Sequence, residues 1–258
     1  MVITKQQALA PVSVVFPALN EEKNVGLALE ALLNQDLFPA QVIFVDHNST
    51  DKTREIAQSY ASEFVQNGID FRIVIEKKPG IANARIAACQ KVTQPIIASM
   101  DTDCRPVSQW VRVIADAFAN DQDLDALAGK IIFFDGSWLT KTVSKHGSYA
   151  VFYLWMRVVT GFHTLTTANA AFRKAAYLKA GGFNAQIKSI NGLDDADLAS
   201  RIFNGHNIRY EKKMVIYASS RRYHNFFKAI PDTIERFIAL IKIVKKYRKK
   251  QHKLLTKK

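Results

Sequence analysis

The chain has 258 residues, 48% hydrophobic and 23% charged, ordinary globular proportions that exclude a largely disordered or collagen-like protein. The formal net charge is +13, but residues 242–258 supply nine Lys/Arg and no acid, leaving only +4 on the rest of the chain. The basic excess is therefore a local feature, suited to anionic lipid headgroups or nucleic acid. Cys89 and Cys104 form no CxxC pair, which argues against a disulfide framework or structural zinc and fits a reducing compartment.

The N-terminus lacks a long apolar core followed by a cleavage site, so no signal peptide is expected. The first hundred residues alternate between strand-like and helix-like segments. PVSVVFPALN reads as a strand ending in turn residues, and Val25, Leu29, Leu32 and Leu33 place one apolar face on the helix after it. QVIFVD is the next strand, followed by a helix for which Ser49 and Thr50 are cap candidates. FRIVIEK, GIANARIAACQKV and PIIASMD continue the pattern, which predicts a mostly parallel sheet flanked by helices.

Beyond Asp103 the rhythm is irregular. SQWVRVIADAFAND reads as a helix and LAGKIIFF as a strand, whereas residues 137–165 are aromatic-rich and give no clear period. The apolar run Tyr149 to Phe162 is shorter than the roughly 20 residues that span a bilayer, leaving a core helix, a lid or a membrane-lying segment. AAFRKAAYLKAGGF reads as a helix stopped by Gly181 and Gly182, DADLASRIFNGH as a short helix and RYEKKMVIYAS as a strand. Residues 232–250 predict a last, amphipathic helix running into the basic tail.

Three polar clusters fall at the carboxyl ends of predicted parallel strands, where such sheets bind ligands: Asn20-Glu21-Glu22, Asp46-His47-Asn48-Ser49 and Asp101-Thr102-Asp103. No GxGxxG follows a strand and no GxxxxGK[ST] occurs, which counts against a dinucleotide-binding dehydrogenase and a P-loop kinase. Asp101 and Asp103 can approach one hard divalent cation that bridges diphosphate oxygens; the same pair also suits a solvated turn. Arg85, after Gly80, can hold phosphate or pair with a neighbouring acid. In GLDDADL the carboxylates suit cap and first-turn acids, Asp194 the cap itself, and Asp195 could instead remain free as a general base in a partly desolvated pocket.

In order and spacing, VSVVFPALNEE, VIFVDHNSTDKT, KKPGIANARIAA, IIASMDTD, ANAAFRKAAYLKAGGF and DDADLASRI resemble the family 2 glycosyltransferases of the GT-A fold, over roughly residues 12–205. The resemblance implies an inverting enzyme that moves a sugar from a nucleotide-diphosphate donor, a UDP- or GDP-sugar, to an acceptor hydroxyl. It places Pro17, Leu19 and Glu21 in the first nucleotide-contacting loop, with Asp46 after the second strand. Arg85 matches the family's arginine, and Asp101, Thr102 and Asp103 the motif that holds Mg²⁺ or Mn²⁺ and diphosphate. Asp195 matches the catalytic base, with Asp194 before it in the acidic box.

Three positions depart from the family pattern. His47 stands where many UDP-sugar members have a second Asp, Asp194 replaces the usual Glu, and Ile86 replaces an Asn. Downstream, Arg221, Arg222 and His224 read either as lid residues reaching the diphosphate or metal, or as a basic surface loop.

The expected organisation is one α/β domain over residues 1–230, its nucleotide-binding half at about 10–105 and its acceptor-binding half at about 106–230. Residues 231–258 follow as an amphipathic basic helix and tail, read either as a contact to an anionic membrane or as a helix packed on the domain with a solvated end. Either way a cytoplasmic protein is expected, in the first case placed peripherally on the inner face of the cell membrane, acting on a glycan or lipid-linked acceptor of the cell envelope. A nucleotidyltransferase would carry a glycine-rich loop where PALNEE stands. A basic module binding membrane or nucleic acid on an inert scaffold explains the tail but not the acidic clusters, which would repel a phosphate backbone; no nucleic-acid partner is expected.

Overall fold

The computed structural model describes residues 8–160, 164–187, 193–203, 207–221, 241 and 243. Strand β1 (Leu9–Ala18) leads to helix α1 (Val25–Leu33), β2 (Phe38–Asp46), α2 (Thr53–Ser59), α3 (Ala61–Gln66), β3 (Asp70–Ile75), α4 (Ile81–Gln90) and β4 (Ile96–Met100). Next come β5 (Cys104–Pro106), α5 (Trp110–Asn120), β6 (Ala126–Phe133), α6 (Trp138–His146) and α7 (Ser148–Thr160). The described elements end with β7 (Asn169–Arg173), α8 (Lys174–Lys179), α9 (Leu193–Ile202) and β8 (Ile208–Ala218).

These strands form one mixed sheet in the order β3-β2-β1-β4-β7-β6-β8-β5. β3, β2, β1 and β4 are parallel neighbours, and β7 and β5 are the strands that run against the rest. Helices cover both faces, so successive residues of one strand enter different cores. Val42 and Phe44 of β2 pack with α1 and α5 residues, while Ile43 and Val45 pack with α4 and α9 residues. That two-sided burial is why the strand sequences are continuously apolar rather than alternating. The alanines of α4 (Ala84, Ala88) let its backbone lie close on β1 and β2.

The structure corrects several expectations. AAFRKAAYLKAGGF is not one helix: its first residues form β7, because they complete the ladder between β4 and β6, and only Lys174–Lys179 is helical. Ser49 and Thr50 do not cap α2. That helix begins at Thr53, whose N–H and hydroxyl both donate to Asp51. The aromatic stretch is two helices. Ser137 caps α6 by accepting from the Thr140 N–H at 3.1 Å, and Gly147, at φ 133°, ends it. The helix expected at 232–250 and the tail lie outside the described residues, apart from positions 241 and 243. Among the described residues, no helix is long and apolar enough to cross a membrane.

Candidate active site

The loops after β1 and β2 are tied together residue by residue. The Asn20 N–H donates to Ser49 Oγ at 3.1 Å, the Glu21 N–H to Thr53 Oγ1 at 2.7 Å, and the Glu22 N–H to Asp51 Oδ2 at 3.1 Å. In return, the Thr50 N–H donates to Asn20 Oδ1 at 2.8 Å and the Lys52 N–H to Glu22 Oε2 at 3.2 Å. Asn20 and Asn48 sit at φ 54° and 62°, a region costly for most side chains and tolerated by asparagine.

Asp46 is fully buried at the end of β2. It accepts from the Ser49 N–H at 3.0 Å and pairs with Arg54 Nε at 2.8 Å, so it shapes the loop. Beside it, His47 Nδ1 is buried without a partner among the described residues. Pro17 is buried and Leu19 is exposed at the loop's rim. Thr102 is also buried. Its hydroxyl donates to the Pro17 carbonyl at 2.7 Å, so it fastens the β4 end to the β1 end rather than facing the cleft.

Arg85 joins two parts of the chain that are distant in sequence. Its guanidinium pairs with Asp194 Oδ2 at 2.6 Å and makes a longer contact to Asp101 Oδ1 at 3.4 Å. Burial pulls the Arg85 pKa down, but the charges of Asp194, Asp101 and Asp195 outweigh it and raise it above its ordinary value. Arg85 stands one turn inside α4 and, of the two alternatives the sequence left open, pairs with acids. Asp194 correspondingly pairs with Arg85 instead of capping α9, within whose first turn it lies.

Asp195 points the other way. Its Oδ2 accepts from the Thr167 N–H at 3.0 Å and from the Thr167 hydroxyl at 3.3 Å, while its buried Oδ1 has no partner among the described residues. Burial, then the neighbouring charge of Asp194, push Asp195 up to about 7, against the opposing pull of Arg85 and the Thr167 N–H. Behind it, the Tyr153 hydroxyl on α7 donates to Thr166 Oγ1 at 3.2 Å. Burial, offset by that bond and helped by the charge of Asp195, keeps this phenol protonated. Thr166, Thr167 and Tyr153 were not foreseen, because nothing in a short polar loop or a lone tyrosine marks contact with an acid far along the chain.

Asp101 and Asp103 remain partly accessible, with side chains 28% and 18% exposed. Arg221 pairs with Asp103 through Nε at 3.1 Å and with both carboxylate oxygens of Glu21. The bond to Glu21, then the charges of Asp103 and Asp101, raise its pKa despite partial burial. Arg221 is held there by Asp135, which accepts from the Ser219 hydroxyl at 2.6 Å and from the Ser220 N–H. These two hard carboxylates could hold part of a divalent cation's shell, and a guanidinium now lies against them. Among the described residues no third Asp, Glu, His or Cys joins them, so further oxygens would have to come from diphosphate and water. Arg222 and His224 lie outside the described residues.

The Glycosyl transferase family 2 profile matches residues 13–181, a span from β1 to the glycine pair after α8. The chain belongs to that family. It is 26% identical over 218 residues to the probable glycosyltransferase YdaM of Bacillus subtilis, covering 78% of this chain and 49% of that protein. It is 30% identical over 143 residues to an undecaprenyl-phosphate 4-deoxy-4-formamido-L-arabinose transferase of Photorhabdus laumondii, covering 54% of this chain and 42% of that protein. The chain thus spans about half the length of these relatives, or less. The mannosyltransferase PcManGT of Pyrobaculum calidifontis, solved with GDP-Man and Mn²⁺, superposes with a TM-score of 0.65 over 94% of this chain and 75% of its own, at 19% identity. That likeness establishes the GT-A fold.

Proposed function

We propose that this chain transfers a sugar from a UDP- or GDP-sugar to a hydroxyl of a glycan or lipid-linked acceptor, by a single displacement with inversion. One observation carries the reading: the Arg85 bridge, which draws the diphosphate-side carboxylate Asp101 and the acidic box at Asp194–Asp195 to one place. The mannosyltransferase solved with GDP-Man and Mn²⁺ and the undecaprenyl-phosphate sugar transferase support the donor and acceptor classes.

Asp195 is the general base. Its Oδ1, without a partner among the described residues, and a pKa of about 7 suit it to take the acceptor hydroxyl proton as that oxygen attacks the anomeric carbon. Thr167 holds the carboxylate in orientation by donating to its other oxygen. Arg85 limits the charge around the base and keeps Asp194 from leaving a buried, uncompensated anion. Mg²⁺ or Mn²⁺ on Asp101 and Asp103 would neutralise charge on the departing nucleoside diphosphate. Arg221 already faces the same carboxylates and would meet the donor's phosphates at the cleft mouth. His47 and Leu19 border the space for the nucleobase.

The test is a panel of UDP-, GDP- and dTDP-sugars with Mn²⁺ and with EDTA, read by thermal stabilisation and by donor hydrolysis. One donor class should raise the melting temperature and be hydrolysed only with metal. Stabilisation by none of them, or equally with EDTA, would overturn the reading.

A further inference from the structure

Helix α7 has two different sides. Tyr153 and Met156 are fully buried, and Tyr153 reaches the loop that holds Asp195. On the other side Val151, Leu154 and Val158 recur at helical spacing and are 67%, 60% and 77% exposed, with Trp155 beside them at 45%. On the preceding helix, Trp138 is 76% and Val143 48% exposed. Single exposed apolar residues are ordinary, but a stripe along one helix, joined by tryptophans, marks a surface that meets something else.

Charge identifies the occupant. From Gly136 to Leu193 the sequence contains no Asp or Glu. Lys141, Lys145 and Arg157 are exposed on α6 and α7, and an open groove of about 350 Å³ sets the α6 lysines against Phe134 and Tyr217. Apolar residues with tryptophan, flanked by cations and free of acids, complement an anionic bilayer surface. A helix of 13 residues is too short to span, and suits lying in the interface.

We infer that the α6–α7 hairpin docks this protein on an anionic lipid surface through Trp138, Val151, Leu154, Trp155 and Val158. This deepens the proposed function and rests on it only for the acceptor. Because the inner side of α7 backs onto the Asp195 loop, docking sets the base about one helix diameter, ~10 Å, from the lipid. A lipid-linked hydroxyl would then arrive from the bilayer side.

The full chain, without donor or metal, is mixed with vesicles of phosphatidylcholine alone or of equimolar phosphatidylcholine and phosphatidylglycerol. Trp110 is fully buried while Trp138 and Trp155 are exposed, so emission reports on the hairpin. Pelleting with anionic vesicles only, weakened by salt and accompanied by a blue shift, is expected. The double variant Leu154→Glu/Val158→Glu, whose sites are exposed, should keep the wild-type melting temperature, lose the shift and bind about tenfold or more weakly. Pelleting without a blue shift, equal binding by the variant, or a wild-type dimer that the variant abolishes would each overturn the docking surface. Vesicle binding that holds while every donor in the sugar panel fails would instead overturn the transferase reading alone.

Discussion

The two halves of the sheet solve opposite problems. Around β1, β2 and β4, most loop groups are matched within the protein, with His47 Nδ1 an exception among the described residues: Asn20, Glu21 and Glu22 are bonded to the segment that leads into α2, and Asp46 is bonded through both oxygens. Around β7, β8 and α9, groups of high cost are left open. Asp195 Oδ1 is buried without a partner among the described residues, and one side of α7 is apolar and exposed. A site for a constant ligand such as a nucleoside diphosphate benefits from a preorganised frame. A half proposed to take up a proton needs a carboxylate of raised proton affinity, which burial beside a like charge supplies.

The sharpest break of this contrast is Asp195→Asn. Loss of the base should lower turnover by about 10²–10⁴-fold with nearly unchanged donor affinity. The same change tests the cost of the site. Because the folded pKa is about 7 and the ordinary value 3.8, the folded state keeps a proton that the unfolded chain releases. Wild-type stability should therefore fall as pH rises from about 4 to 7, and Asp195→Asn should melt higher than wild type above pH 7. The gap should close near pH 4. Wild-type kcat/KM should fall below about pH 7, where Asp195 takes up its proton, and hold above it. A variant that melts at the wild-type temperature at every pH would remove the charge conflict from the site.

Arg85→Met removes the link between the halves. It leaves Asp194 buried and unpaired, at a cost of about 3–5 kcal/mol in denaturant unfolding. Adding Asp194→Asn should recover much of that loss; additive losses in the double variant would show that the pair does not act as a unit. Asp101→Ala or Asp103→Ala should weaken nucleotide binding about tenfold or more with Mn²⁺, and little in EDTA. Equal weakening with and without metal would give the two carboxylates another role. Smallest is Thr53→Val, which removes an acceptor for the Glu21 N–H and a donor to Asp51 and should cost about 1 kcal/mol. A larger loss in donor affinity than in stability would show that the stitched loops matter for the ligand more than for the fold.

Much of the first half was legible from residue order alone, because each βα unit is local. The apolar runs, the helical spacing of Val25, Leu29 and Leu32, and the acids at the strand ends all lie within a short window. The second half was not. AAFR became a strand only because an open edge of β4 and β6 lay waiting, and no period in those residues announces a reversed strand. Residues 137–165 carry apolar positions on both sides of α7, which blurs the period that would have marked the helix.

The site divides in the same way. By itself the sequence determined the family and the α/β class, and it supplied the acids and the arginine on which the proposed site rests, since these are motifs of a few adjacent positions. Tertiary structure alone decided that Arg85 pairs with Asp194 and Asp101, that Thr102 and Asp46 brace loops, and that Thr167 orients Asp195. Those roles depend on which charges share a dry interior, and Arg85 and Asp194 meet there only after the sheet has closed.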